Sequence, residues 1–343
     1  MTVILDQALV PGLISMPEAI DALESAYRSL ARGRAVEAER SNLVLPNGWL
    51  RTMSAALLDE GIAGYKEFHR FRGVSRYAYH LFDLETGEQL AVMDGRHLTA
   101  LRTGACGGLA AREMAPESAP VVGVIGSGLE ARAQVDALVA VRDVRRIQVF
   151  SPTPRRREEF CAHVADSTKG AVSAVPIDAA EQAVEGADVL IVATNTAGRG
   201  PAMSGLWLTG GRLHINSVGS TLPDQRELDE DVWPRVDRVV IDSPDVLVES
   251  GDVIAARAAG TFDPERVVPL GDVLIGDVLI GEVGSRAATG VTLYKSVGSA
   301  VQDIAIAARI YRRAISAGLD LPEVAPFQSV RTVAVPPAQM AVR

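Results

Sequence analysis

The sequence predicts an α/β chain in which a doubly wound, mainly parallel sheet is joined to a second, α+β unit. Three observations carry that prediction. From Val121 onward the apolar runs VVGVIG, RRIQVF, AVSAV, ADVLIVAT, RLHINSV and RVVID alternate with helix-length segments, as parallel strands joined by crossover helices do. Between about Asn42 and Asp94 the runs LVL, WLRTMSA, IAGYKEFHRF, YAYHLFDL and QLAVMD are separated only by turn residues, which reads as an antiparallel sheet. The two textures meet at residues 115–120, APESAP, a linker with two prolines. At 343 residues two domains are expected, and we place them at 1–117 with 305–343, and at 118–304.

In chain order, Ser15 and Glu18 form a capping box ahead of Ile20, Leu23, Tyr27 and Leu30 at helical spacing, so a first amphipathic helix ends near Gly33. Residues His97 to Ala115 are rich in Ala and Gly, a composition that lets a helix pack closely on its neighbours. Val121 to Leu138 combines an apolar strand, a glycine turn and an amphipathic helix. Gly126, Gly128 and Ala131 fit G-x-G-x-x-A in that context, the Rossmann fingerprint for a dinucleotide pyrophosphate at a helix N-terminus. Asp178 and Glu181 suggest a capping box for a later helix, and the echo GDVLIGDVLIG from Gly271 reads as one Gly-interrupted helix. After a last strand, VTLYKSV, the segment Ser299 to Ala317 places Val301, Ile304, Ala308 and Tyr311 on one helical face that returns to the first domain. The terminal SVRTVAVPPAQMAVR suggests a strand and a Pro-containing tail.

Composition narrows the function. The chain is 48% hydrophobic and 22% charged, as for a soluble globular protein, and its net charge of -9 disfavours nucleic acid. Its two cysteines, Cys106 and Cys161, lack ligand spacing and suit a reducing cytoplasm. The first residues lack a basic n-region, and no apolar run is long enough to span a membrane. His69, His80, His97, His163 and His214 are scattered, so no metal is expected, and no Ser or Cys sits in a nucleophile elbow.

The cofactor is read from the end of the second strand of the parallel sheet, at Phe150. An NAD site places an acidic residue there, whereas an NADP site places cations. Here Ser151, Thr153, Arg155, Arg156 and Arg157 follow, with no carboxylate before Glu158, so NADP(H) is favoured over NAD(H). In the first domain, cations interrupt segments that should be apolar or small: Arg40 before a strand, Lys66 within IAGYKEF, and Arg102 with Thr103 in the small-residue helix. Together they point to an anion site for a carboxylate. Among the neighbouring Arg51, His69, Arg70, Arg72 and Arg76, strand alternation puts Arg70 and Arg72 on the face of Lys66 and His69 on the other, which makes Arg70 the better candidate for a second substrate carboxylate.

The motifs VMDGRHLTALRTGA, GVIGSGLEA, INSVGSTLPDQRELD, DSPDVLVESGDV and TLYKSVGSAVQD occur in this order over nearly the whole chain. In them the sequence resembles the ornithine cyclodeaminase and mu-crystallin family of NAD(P)-dependent imine and amino-acid enzymes, most of all its mu-crystallin branch, which includes ketimine reductases. The resemblance implies that Arg40, Lys66 and Arg102 hold a substrate carboxylate, with Lys66 also a proton donor or acceptor. It implies cofactor contacts from Gly126, Ser127, Gly128, Leu129 and Glu130, from Ser151, Thr153 and Arg155, and from Thr194, Asn195 and Val218. Ser296 and Gly298 would lie near the nicotinamide, and the first domain's sheet would build a homodimer. One departure matters: where cyclodeaminases carry an aspartate for the distal amine, this chain has Thr221, with Asp224 out of register.

The expected activity is NADPH-dependent reduction of an α-imino acid, a cyclic ketimine or a linear imine such as iminosuccinate, to the α-amino acid. Arg102 and Arg40 would orient the carboxylate, and the crowded Lys66 would release its proton more readily. The alternatives are an amino-acid dehydrogenase acting on a substrate such as alanine, a non-catalytic binder of NADPH and a small acid, and, weakened by Thr221, ornithine cyclodeaminase.

Overall fold

The computed structural model of the chain describes residues 1–196, 198–276 and 290–325. The first sheet is mixed. It contains β1 (Thr2–Leu5), β2 (Ala35–Glu37), β3 (Ser41–Leu45), β4 (Gly48–Leu57), β5 (Ile62–Phe71), β6 (Val74–Asp83) and β7 (Gln89–Asp94). Strands β4 to β7 form an antiparallel meander, and β1 joins β7 in parallel. Helix α1 (Met16–Ala31) starts at the expected capping box, with Ser15 Oγ accepting from Glu18 N and the Glu18 carboxylate accepting from Ser15 N. Helix α2 (Arg96–Met114) is buried along most of its length, which its glycines allow. At Gly104 and Gly108 the chain lies so close to Ala133 and Ala137 that a Cβ would overlap them.

The second sheet comprises β8 (Val121–Ile125), β9 (Arg146–Phe150), β10 (Ser173–Pro176), β11 (Val189–Val192), β12 (Leu213–Ser217), β13 (Arg238–Ile241), β14 (Val267–Pro269) and β15 (Val291–Lys295). Its order is β10-β9-β8-β11-β12-β15-β13-β14, and every pair is parallel. The strand order reverses at β8, so the ends of β8 and β11 open the crevice where such sheets bind ligands. Helices α3 (Leu129–Val141), α4 (Pro154–Ser167), α5 (Val246–Glu249), α6 (Gly251–Ala258) and α7 (Leu270–Ile275) accompany it. The fold class expected from the alternation of strands and helices is the one found.

Two local expectations differ. The helix expected after Asp178 is a single 3-10 turn, Ala180–Ala183. Asp178 cannot cap it because its carboxylate pairs with Arg157 at 2.8 Å, and Gln182 Oε1 accepts from Asp178 N and Ala179 N instead. Within the repeat from Gly271, α7 ends at Ile275 and Gly276 takes a left-handed φ of 77°; the later part of the repeat and the terminal strand lie outside the described residues. Helix α8 (Ala300–Ser316) carries the chain back onto β4, β5 and β6, and β16 (Glu323–Val324) closes on β1. Its first half is buried on all sides, from Ala300 to Ala308. No helix among the described residues is long and apolar enough to cross a membrane.

Candidate active site

The site forms where α8 crosses from the parallel sheet to the mixed one. On β5, Gly64 and Lys66 face the same way. A Cβ on Gly64 would stand 2.9 Å from Ile304 Cδ1, so the glycine admits α8 against the strand. Lys66 therefore meets α8 with its ammonium inward. It is 2% exposed, and Nζ lies 2.6 Å from Asp303 Oδ2. The other oxygen of Asp303 lies 3.0 Å from Arg102 Nε as an ion pair and accepts from the Tyr79 hydroxyl at 3.0 Å, and that hydroxyl also meets Thr99 Oγ1 at 2.8 Å. Arg102 Nη1 donates to Gln302 Oε1 at 3.0 Å, while Gln302 Nε2 reaches the Tyr27 hydroxyl and Asp242 Oδ2 at 2.7 and 3.0 Å.

Burial pushes the Lys66 ammonium down to about 8; Asp303 opposes the shift, and Arg102 and Arg40 add to it. Burial also works against the charge of Arg102, but Asp303, Tyr79, Glu130 and Asp242 hold it, and the guanidinium stays protonated. One face of β5 thus presents an ammonium that exchanges its proton near neutral pH beside a guanidinium that does not. The ring of Phe68 covers Lys66, with Nζ 5.0 Å from its centroid.

Not every expected cation joins them. The Arg40 side chain is 3% exposed and committed across the domain junction: Nε lies 2.6 Å from Asp245 Oδ2, Nη1 lies 2.8 Å from Glu249 Oε2, and Nη2 donates to Gly298 O. These contacts tie the segment before β3 to α5 and to the loop after β15, much as Asp303 and Gln302 engage Arg102. Glu249 holds Arg51 as well, at 3.2 Å. Arg70 shares the face of Lys66 but sits at the exposed strand end, where Nε donates to Ser75 Oγ at 3.0 Å. It is therefore not assembled with Lys66, since parity sets the face of a strand and not the distance along it. Thr103 is buried beside Arg102, its hydroxyl donating to Thr99 O at 2.8 Å.

The glycine turn adjoins this cluster. Gly126 has φ 118°, and a Cβ there would overlap Ala193 O; above Gly128, which precedes α3, nothing lies within 4 Å. Ala131 is fully buried. Close packing below the turn, open space above it and the free N–H groups of a 13-residue helix fit a pyrophosphate. Ser127 and the exposed Leu129 flank that space. Glu130 turns inward; burial raises its carboxyl, and Arg102 and the Thr103 hydroxyl pull the other way. After β9, Ser151 is buried, Thr153 and Arg155 are exposed, and Arg155 Nε pairs with Glu159 at 2.8 Å. Arg157 turns back, donating to Ser151 O and Ile177 O with its guanidinium over Phe150, so it is a strut. Thr194, Asn195 and Val218 follow the ends of β11 and β12, and Ser296 and Gly298 follow β15. Gly298 has φ 78°, and a Cβ there would stand 2.6 Å from Arg102 Nη1, so this loop touches the guanidinium directly.

Asp303, Tyr79 and Gln302 were missed from sequence. Gln302 and Asp303 did carry a signal, an amide and a carboxylate inside the otherwise apolar SAVQDIAIAA. Tyr79 carried none, being one aromatic among several on β6.

A profile of the Ornithine cyclodeaminase/mu-crystallin family matches residues 1–318. The alanine dehydrogenase of Archaeoglobus fulgidus is 33% identical over 323 residues, covering 92% of this chain and 96% of that protein. The ketimine reductase mu-crystallin of Macropus fuliginosus is 32% identical, covering 67% of each. Among solved structures, the Δ1-pyrroline-2-carboxylate reductase of Thermococcus litoralis, in complex with NADH and L-proline, superposes with TM-score 0.87 at 31% identity over 94% of this chain and all of that one. An archaeal alanine dehydrogenase dimer with bound NAD gives TM-score 0.84 at 32% identity over 93% and 97%. The likeness thus extends beyond the mu-crystallin branch that the motifs suggested.

Proposed function

Because the chain belongs to the ornithine cyclodeaminase/mu-crystallin family, and so is an NAD(P)-dependent oxidoreductase, we propose that it reduces an α-imino acid, cyclic or linear, to the α-amino acid with NADPH. The observation that carries this reading is the Lys66–Asp303–Arg102 cluster at 2.6 and 3.0 Å beside the loop after β15. Domain 1–117 with 305–343 supplies the anion site, and 118–304 holds the dinucleotide. Gly126, Ser127, Gly128, Leu129 and Glu130 would hold the pyrophosphate, and Thr194, Asn195, Val218, Ser296 and Gly298 would hold the nicotinamide half. When bound, the cofactor supplies a hydride to the imine carbon.

Arg102, permanently charged, binds the carboxylate with Thr103 beside it and so aims the imine carbon; orientation of this kind supplies several kcal/mol. Lys66 donates a proton from Nζ to the imine nitrogen, which makes the carbon more electrophilic and leaves the product as the amine. Asp303 steadies the ammonium before transfer, and Tyr79 and Arg102 fix Asp303 in turn. The guanidinium does not change charge.

For the cofactor, Ser151, Thr153 and the exposed Arg155 and Arg156 favour a 2′-phosphate. The pair of Arg155 with Glu159 is solvent-exposed, hence weak and open to displacement. A second reading, amino-acid dehydrogenase with release of ammonia, is favoured by the alanine dehydrogenase that matches almost end to end. One assay decides between them: oxidation of NADPH and of NADH over Δ1-pyrroline-2-carboxylate, a six-membered cyclic ketimine, iminosuccinate, and pyruvate with ammonia. Turnover of an imine without ammonia, lost in Arg102→Ala, is the expected result. Turnover only with pyruvate and ammonia selects the dehydrogenase; no turnover with tight NADPH binding overturns catalysis; faster use of NADH overturns the cofactor preference.

A further inference from the structure

Three of the motifs that mark this sequence meet at a place the reaction does not use. INSVGSTLPDQRELD brings Glu227, DSPDVLVESGDV brings Asp252 and TLYKSVGSAVQD brings Lys295, and none is more than 1% exposed. Lys295 Nζ lies 3.0 Å from Asp252 Oδ2 and 3.9 Å from Glu227 Oε2, and it donates to Ser217 Oγ at 2.9 Å. Asp252 Oδ1 accepts from the backbone N–H groups of Glu227 and Leu228 at 2.7 and 3.1 Å, which locks the segment that carries Glu227.

The Glu227 carboxylate faces the C-terminal edge of the parallel sheet. Oε1 accepts from Thr194 N and Thr194 Oγ1 at 2.6 and 2.9 Å; Oε2 accepts from Gly219 N and Ser217 Oγ at 2.7 and 2.8 Å. Two of these partners are backbone donors that cannot reverse, so the side chain must offer acceptors on both oxygens. It joins the loops after the neighbouring strands β11 and β12, while Lys295 ends β15, the next strand. Packing makes the same connection. A Cβ on Gly126 would overlap Ala193 O, and one on Gly219 would overlap Thr194 O and the Glu227 carboxylate. The glycine turn, the β11 loop and the β12 loop thus rest on one another and finally on Glu227.

We infer that Glu227, backed by Lys295 and Asp252, is a positioning residue that sets the β11 and β12 loops for the nicotinamide half of the dinucleotide. The inference rests on the dinucleotide reading above. Glu227 itself touches neither cofactor nor substrate, since its four acceptor positions are filled. In a sheet of this order the ribose next to adenine lies beyond the second strand, here β9, so β11, β12 and β15 lie under the nicotinamide end. An amide at 227 would direct an NH2 at an N–H donor and push one loop away.

The test separates the two halves of the cofactor. Full-length parent, Glu227→Gln and Ser217→Ala are titrated with NADPH and NADH and, as a probe of the adenine half alone, with ADP and 2′-phospho-ADP; melting temperatures are recorded beside them. Glu227→Gln is expected to weaken dinucleotide binding about tenfold, the loss of one net hydrogen bond to a charged group, with the adenine probes binding as in the parent. Ser217→Ala is expected to weaken it in the same sense by a smaller factor. Parent-like dinucleotide affinity in a folded Glu227→Gln protein overturns the inference, as does parallel loss of dinucleotide and adenine probe. If Glu227→Gln does not fold, Ser217→Ala decides, and parent-like affinity there overturns it. A parent that binds neither NADPH nor NADH removes the dinucleotide reading, and the inference with it.

Discussion

At the scale of single residues, the proton on Lys66 is governed by two opposed environments. Burial disfavours the ammonium and brings it down to about 8, whereas Asp303 at 2.6 Å favours it. If Lys66 is the acid in imine reduction, kcat/KM falls as pH rises through about 8, because the deprotonated amine has nothing to give. Asp303→Asn keeps the shape and removes the opposing charge, so the falling limb is expected to move to lower pH, with a reduced plateau. A pH–rate series on parent and variant checks this. A limb that stays in place, or moves upward, excludes Lys66 as the titrating acid. The same substitution separates Asp303 from a packing role, since packing alone would not displace the limb.

At the scale of elements, the β15–α8 connection does most to bring the chemistry together. It carries Ser296 and Gly298 at one end and Gln302 and Asp303 at the other, and Asp242 binds its backbone through Val297 N and Gly298 N at 3.2 and 2.8 Å. Gly298 is required on two counts: φ 78°, which side chains disfavour, and contact with Arg102. Gly298→Ala is therefore expected to displace the guanidinium and raise the substrate KM about tenfold, roughly the loss of one hydrogen bond to a charged group, beside a separate folding cost of ~1–2 kcal/mol for the left-handed backbone. The check is steady-state kinetics beside NADPH titration, and equal losses in both would place the effect in the cofactor site instead. This connection also shows where sequence reading stops. The strand–turn–helix at Val121 to Leu138 and the capping box at Ser15 are local, so their residues announce them. Lys66 and Arg102 stood out because cations are out of place in such segments. Asp303 was hidden because its meaning depends on a strand more than two hundred positions away, and the partners of Arg40, Asp245 and Glu249, are as distant in sequence.

At the scale of the whole molecule, the mixed sheet has one face on α8 and another without a covering element among the described residues. On the uncovered face Tyr65 stacks on His80 at 4.5 Å between centroids and lies 6.0 Å from Phe82. Toward its far end Leu43 and Val74 are 53% and 51% exposed. Aromatic and aliphatic side chains left on an uncovered sheet face suit an interface, and the archaeal relative with bound NAD is a dimer. We propose a homodimer formed through this sheet, as the family resemblance implies. Tyr65→Lys places a charge in the aromatic stack yet leaves the Lys66 face untouched, because adjacent strand residues point to opposite sides. The protomer is then expected to keep its helical and sheet content while its mass by light scattering halves from the parent value. A parent that already runs as a monomer, or a variant that stays dimeric, would place the interface elsewhere. The clasp of Arg40 on Asp245 and Glu249 lies within one protomer, so loss of the dimer is expected to leave dinucleotide affinity near the parent value, with any fall in turnover traced to the mixed sheet that positions Lys66.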